Sequence, residues 1–389
     1  MASLPTELWL RIFASLDFSE DCKTLTALCR VSKVFNSWAQ PLVFESIKGS
    51  ELTTSKSLED ALCGKRGMVL GAYVKEVDVD MCLEMLGMSD ESEWQEPELR
   101  MAKAKTELQL HKALTLLCGC VNLRRIRLQL SMEDRCPDKN EVDSGDFHDV
   151  GLPGLHAAEF SASPWIRSIR CLHLVSYSEN YFNLEGFDRL LQAASNLENL
   201  QLESLLSWAA ICPNDPHRLT SLQITDHDPL HPEDLALMAT SFPGLQSLYL
   251  SMHYFVKDDR LFFPPQPLAT RFSSLRVLEL ELHLAAVPQI QSTGEQICSD
   301  LAKVWRLFAP VMFPALKQCR LSVDFDTSKH VPSGLLDRFS AALAQGAREL
   351  PRRFSITVTL KRNKWDANLG EIYQRIHRAA GSVGDFEVS

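Results

Sequence analysis

Glycine is scarce in this chain, 17 of 389 residues, and spread thinly. No glycine-rich phosphate loop, no Gly-x-Ser-x-Gly and no His-Glu-x-x-His occurs. The motifs of nucleotide binding, serine hydrolysis and zinc proteolysis are therefore missing. Positive charge is in deficit as well. Lys and Arg number 40 against 50 Asp and Glu, a net charge of −10. Unspecific binding to nucleic acid or to an anionic membrane is disfavoured by that balance. No apolar stretch is long enough to span a bilayer. The chain does not open on a basic region followed by an apolar core, so no secretory signal is expected. Cysteine gives no metal framework. The 11 cysteines (Cys22, Cys29, Cys63, Cys82, Cys118, Cys120, Cys136, Cys171, Cys212, Cys298, Cys319) are odd in number and form no Cys-x-x-Cys. The pair in Cys118-Gly119-Cys120 does not have the spacing of a zinc knuckle. Reduced, mostly buried thiols in cytoplasm or nucleus are expected.

What is present is a normal share of apolar sequence, 45% hydrophobic and 23% charged. That suffices for a sizeable core and, by length, for two to three domains or one long repeat array. The N-terminus carries two apolar patterns at helical spacing. Leu8, Ile12 and Leu16 fall on one face, with Phe13 beside them, and Pro5 suits the first turn. Leu25, Leu28, Val31, Phe35 and Trp38 follow, ended by Pro41. The spacing predicts three short helices in about forty residues, too few to bury a good core alone. A partner is implied.

The order of these residues resembles an F-box. The matching positions are Leu4, Pro5, Glu7, Leu8, Ile12, Phe13, Leu16 and Asp17, then Leu25, Leu28, Cys29, Val31, Ser32, Lys33 and Phe35. Trp38 is a mild departure, where a basic or small residue is usual. The resemblance implies docking on the Skp-type adaptor of SCF ubiquitin ligases, and through it on a cullin. It assigns adaptor contact to Leu4, Pro5, Leu8, Ile12, Phe13, Leu16, Leu28, Val31 and Phe35.

Further along, Val74, Val77 and Val79 suggest a strand. Residues 89–98 are acidic and hold Pro97, which reads as a surface loop. Leu110, Leu114 and Leu117 suggest a helix over 99–117. Residues 131–163 are polar, acidic and punctuated by Pro and Gly, a long excursion.

A Leu-x-x-Leu-x-Leu unit then dominates. Copies begin at Leu123, Ile169, Leu197, Leu219, Leu245 and Leu275, with a degraded one at Leu316 and an early one at Val74. From Ile169 to Leu275 they lie 28, 22, 26 and 30 residues apart. The lead-ins are alike: Ala194-Ser195-Asn196, Phe242-Pro243-Gly244, Phe272-Ser273-Ser274 and Phe313-Pro314-Ala315. Short helix-like stretches precede several copies, at Phe187-Leu190-Leu191 and Leu235-Met238. Strand and helix alternating at this period bury their faces only by stacking.

These copies resemble the leucine-rich repeats of F-box proteins, over about residues 120 to 325. The family's Asn or Cys three residues past the last Leu is not there. Ser131, Tyr177, Leu205, His227, His253, His283 and Asp324 take its place. The expectation is an α/β fold: a three-helix F-box, then an irregular solenoid with parallel strands on the concave face and helices on the convex. The expected division is 1–47 F-box, 48–119 linker and first irregular repeat, 120–325 solenoid and 326–389 C-terminal cap. Within the cap, Phe354, Ile356, Val358 and Leu360 alternate as a strand, and Leu369, Ile372 and Ile376 suggest a helix.

Candidate chemistry is thin. His227 and His231 lie four apart, but Pro229 between them argues against one helical face. His231-Pro232-Glu233-Asp234 reads as a helix start. His227, His253 and His283 share a slot in successive repeats. Arg124-Arg125-x-Arg127 reads as a solvated strand face with ion pairs.

The function expected is therefore a substrate receptor, not an enzyme, with no cofactor and no metal. Its partners would be the adaptor, the cullin and a protein target, with neither nucleic acid nor membrane. Alternatives are an F-box scaffold acting outside ubiquitin transfer, or a sensor or enzyme with a small molecule in the solenoid's concavity, which a deep pocket lined by His227, His253 and His283 or by Trp208 and Trp305 would favour. By strand alternation the target face is Gln201, Glu203, Gln223, Thr225, Tyr249, Ser251, Glu279 and Glu281. Tyr249 would anchor it, and the acids would suit a basic segment.

Overall fold

The structure, a computed structural model, describes residues 5–16, 18–48, 70–84, 115–133, 163–176, 191–203, 218–227, 232–254, 271–284, 313–325, 355–361 and 386–388, with 60, 62, 108 and 112 as isolated positions. Three helices open the chain: α1 (Thr6–Ala14), α2 (Phe18–Val31) and α3 (Lys33–Val43). Pro5 is not in the first turn but caps α1 with extended backbone. Its carbonyl accepts the N–H groups of Leu8 and Trp9 at 3.1 and 3.3 Å. Because α1 stops at Ala14, Leu16 lies beyond the helix and does not continue its face. Ser32 caps α3, its Oγ accepting the Phe35 N–H at 3.1 Å. Pro41 does not end α3, which runs on to Val43. A proline in the last turn removes one backbone bond and leaves little helix to break.

The chain divides into two compact units, Met1–Leu197 and Glu198–Ser389. In the first, the helices lead into β1 (Ser46–Lys48), β2 (Glu76–Glu84), β3 (Arg125–Glu133) and β4 (Cys171–Ser176). These strands pair in parallel in chain order, with Ile47, Val77, Ile126 and Leu172 in one row. In the second, β5 (Asn199–Glu203), β6 (Ser221–His227), β7 (Ser247–Tyr254), β8 (Val277–Leu284), β9 (Gln318–Phe325), β10 (Ser355–Lys361) and β11 (Phe386–Val388) do the same. Their row is Leu200, Leu222, Leu248, Leu278, Cys319, Ile356 and Phe386. A helix, α4 (Pro232–Ser241), links β6 to β7 and buries Leu235 and Met238. Each unit is thus α/β and solenoid-like, one parallel strand per repeat. The Leu-x-x-Leu-x-Leu copies are its steps, including the degraded copy at Leu316.

In unit 1 the strands begin at Ser46, and in unit 2 they include β10 and β11. Ser131 belongs to β3, not to an excursion. Met132 and Glu133 lie in β3 too, while the loop over 89–98, residues 134–162 and the helix around 369–376 lie outside the described residues. Of the helix expected over 99–117, residues 108, 112 and 115–117 are described, and they are helical.

One turn leads into strand after strand. The N–H of Leu123 donates to the Cys120 carbonyl, Leu197 to Ala194, Leu245 to Phe242, Leu275 to Phe272 and Leu316 to Phe313, at 2.9 to 3.4 Å. The residue opening each of these turns is buried, and Phe272 and Phe313 stack at 5.4 Å. Successive repeats are tied by the carbonyl just before each strand. Lys75 O accepts the N–H groups of both Arg124 and Arg125, and Gln246 O those of Arg276 and Val277. Side chains before the first Leu cap the neighbouring turn. Asn122 Nδ2 donates to Ala72 O at 2.7 Å, Asn196 Nδ2 to Arg167 O at 2.6 Å and Ser274 Oγ to Pro243 O at 3.0 Å.

This explains the missing family asparagine. Ser131, His227, His253, His283 and Asp324 all lie within strands that run on past the pattern. Among the described residues these positions are strand, with no turn for an amide to cap. Tyr177 and Leu205 lie outside the described residues.

Candidate functional site

The helical segment sorts its apolar side chains into two sets. Phe13, Leu25 and Ala39 form a buried centre, with Trp9, Leu16, Leu28, Cys29, Phe35 and Trp38 among those packed on it. Four rings dominate: Trp9 meets Phe35 edge-on at 4.8 Å, and Phe13 meets Phe35 and Trp38 at 5.9 and 5.8 Å. Such aromatic contacts add about 0.5–1.5 kcal/mol each beyond burial. Trp9 and Phe13, four apart, therefore make the inward face of α1.

The other set looks outward. Leu8 is 43% exposed, Ile12 41%, Val31 62% and Val34 55%, and Pro5 is exposed too. Of the nine positions expected to contact an adaptor, Pro5, Leu8, Ile12 and Val31 are open, while Leu16, Leu28 and Phe35 are half-buried. Phe13 is interior, so its role is to hold the helices. Leu4 and Asp17 lie outside the described residues. Trp38, which departs from the family pattern, completes the aromatic cluster. The sequence reading passed over Trp9, although its spacing to Phe13 was the available signal.

On unit 2 the register brings the expected target face together. Gln201, Gln223, Tyr249 and Glu279 form one row, which continues to Arg320. Glu203 pairs with Thr225, and Ser251 with Glu281. Alternation holds at first: β5 buries Leu200 and Leu202 and leaves Asn199, Gln201 and Glu203 half-open. It fails further along. Ser251 is 3% exposed and Glu281 8%. Tyr249 leans along the sheet, and its hydroxyl donates to Glu281 Oε2. Glu279 is engaged as well, with its Oε1 3.5 Å from Arg320 Nη1. The two acids reserved for a basic target segment are thus committed within the chain.

The histidine slot also divides. His253 and His283 pair in register, and His283 continues to Asp324, but a bulge sets His227 against Met252. α4 begins at Pro232 while His227 is in β6, so His227 is on no helical face. His231, Trp208 and Trp305 lie outside the described residues. In the arginine cluster, Arg125 faces Glu76 at 3.5 Å and Arg127 faces Asp78 at 3.4 Å across β2 and β3. Burial drives the thiols of Cys120 and Cys319 up to about 12, assisted by Cys118 and Glu279 respectively. Such thiols pack as small apolar groups rather than react.

No helix among the described residues is long and apolar enough to cross a membrane. No protein-family model matches the chain, and no curated protein matches it.

Proposed function

We propose that the chain is the substrate-recognition subunit of an SCF-type ubiquitin ligase. Its N-terminal helices dock on a Skp-type adaptor and its repeats hold a target protein. The observation that carries the reading is the sorting of α1. Aromatic residues already fill the interior, so Pro5, Leu8 and Ile12 serve no core of their own. Exposed aliphatic side chains in line on one helix are what a partner's groove buries. The order of residues that resembles an F-box supplies the kind of partner. The repeats act by holding a target near a ubiquitin-charged enzyme, a gain of proximity rather than of chemistry. The target surface narrows to Gln201, Glu203, Gln223, Thr225 and the ring of Tyr249, because Glu279 and Glu281 are engaged internally.

The test is affinity purification of wild type beside a Leu8→Ala, Ile12→Ala variant. Adaptor and cullin should be lost with the change, while target proteins are retained. A variant that recovers adaptor as fully as wild type would refute the docking surface. A second variant, Gln201→Lys with Gln223→Lys, should keep the adaptor and lose the target.

A further inference from the structure

We infer that the face of β5, β6 and β7 is a platform for an extended, uncharged polypeptide segment, held through its backbone by Gln201 and Gln223. The inference rests on the reading of unit 2 as the part that holds a target, and names the class of target. Gln201 and Gln223 stand in register on β5 and β6, one strand spacing, ~4.8 Å, apart. Both are half-buried, and among the described residues neither carboxamide is bonded to another group of the chain. Their surroundings carry little charge. Asn199, Ser221 and Ser247 form the row before them, and Thr225 pairs with Glu203 in the row after. Glu203 is the one acid in these rows of β5, β6 and β7. The matching positions on other strands are charged and paired within the chain: Glu76 with Arg125 and Asp78 with Arg127 in unit 1, Glu279 with Arg320 on β8 and β9.

A carboxamide carries donors and an acceptor, so it meets both the N–H and the C=O of a peptide group. Along each strand the residues of one face repeat at about 6.8 Å, the interval at which an extended peptide repeats its own same-side groups. A segment lying along β5 and β6 therefore meets the pairs Asn199–Ser221, Gln201–Gln223 and Glu203–Thr225 in step. The backbone of a folded target is already paired within its own structure, so the occupant is a segment without secondary structure. It carries little charge, because a charge buried against neutral side chains goes unpaired. The ring of Tyr249, whose hydroxyl is spent on Glu281, gives an apolar side chain of the segment a surface to pack on. A glycan offers hydroxyls but no peptide groups at this interval, and is the poorer occupant.

A random peptide library displayed on phage and selected on the full chain tests it. Recovered peptides should be poor in Asp, Glu, Lys and Arg. The strongest, resynthesised with a fluorescent label, should bind with little dependence on salt by anisotropy. N-methylation of its peptide nitrogens one at a time should weaken binding by about tenfold or more at alternate residues, a readout that uses wild-type protein throughout. Gln201→Ala with Gln223→Ala should weaken it by a similar factor with an unchanged thermal melt. Arg125→Gln with Arg127→Gln should leave it unchanged. The inference is overturned if no peptide is recovered, if the recovered peptides are rich in one sign of charge, or if N-methylation has no effect or no alternation. It is equally overturned if the glutamine variant binds as wild type does, or if neutral oligosaccharides on an array bind more tightly than the peptide. Adaptor recovery from the same protein reports the ligase reading separately: adaptor bound without peptide overturns this inference alone, and peptide bound without adaptor overturns the ligase reading alone.

Discussion

Tyr249 and Glu281 lie diagonally across two neighbouring strands and are joined by a hydrogen bond from phenol to carboxylate. In the register Tyr249 faces Glu279, so the bond reaches past its direct partner to the next residue on that face. This pulls a carboxylate into the sheet surface and converts part of an open face into structure. Tyr249→Phe removes one donor from a buried charge and should cost about 1–3 kcal/mol in the stability of unit 2. Urea unfolding measures it. A transition midpoint unchanged from wild type would mean that solvent already serves Glu281.

A close backbone contact sets the second expectation. A Cβ on Gly71 would stand 2.5 Å from the Gly119 carbonyl oxygen, and one on Gly119 2.7 Å from that of Leu62. Backbone cannot swing aside like a side chain. Gly71→Ala and Gly119→Ala should each cost about 1–3 kcal/mol by overpacking. Gly244→Ala, with its nearest atom at 3.7 Å, should be near neutral. Thermal melts of the three variants decide it.

The strands were legible because period-two leucines survive translation into structure. Leu200, Leu222, Leu248 and Leu278 fall in one buried row, as their spacing implies. β1 and β11 were not legible, since three-residue strands carry one or two apolar positions and no period. Which stripe of a short helix faces inward was not legible, for a different reason. Leu8 and Ile12 satisfy the same spacing as Trp9 and Phe13, one residue apart. Periodicity cannot rank two adjacent stripes, whereas the larger aromatic area wins the interior. The row of residues expected to face a target was half legible. Alternation placed Gln201, Gln223 and Tyr249 in one row, but nothing in a sequence shows a phenol turning to a carboxylate two residues along the next strand. Asn122 and Asn196 stood in plain view, and their capping role needed the turn geometry.

The two stripes of α1 should separate in experiment. Phe13→Ala removes one of four packed rings, opens a cavity and should cost about 3–5 kcal/mol, enough to unfold the helical segment. Leu8→Ala and Ile12→Ala remove half-exposed methyls and should cost well under that in the free chain. Tryptophan fluorescence from Trp9 and Trp38 reports the loss of packing. Should Leu8→Ala unfold the helices as Phe13→Ala does, the outward reading of α1 fails, and with it the docking surface.

The buried thiols give a pH dependence of definite sign. Cys120 and Cys319 are raised from 9.0 to about 12 in the folded chain, first by burial. The folded state therefore holds these protons more tightly than the unfolded one. Their contribution is fully present below pH ~9 and is lost as pH rises from there toward ~12, because the unfolded state alone gains by ionising. At about pH 10.5 the loss is on the order of 2 kcal/mol per thiol. Lysines and tyrosines titrate in the same window, so the informative quantity is a difference between proteins. Cys120→Val and Cys319→Val each keep an apolar group of similar size without a proton to lose. Each variant should show a smaller decline in unfolding free energy between pH ~8 and pH ~10.5 than wild type. Equal declines in all three proteins would mean that the thiols ionise as easily folded as unfolded. Alkylation adds an independent reading at neutral pH: exposed Cys118 should be modified in the native chain. Cys120 and Cys319 should be modified only as it unfolds.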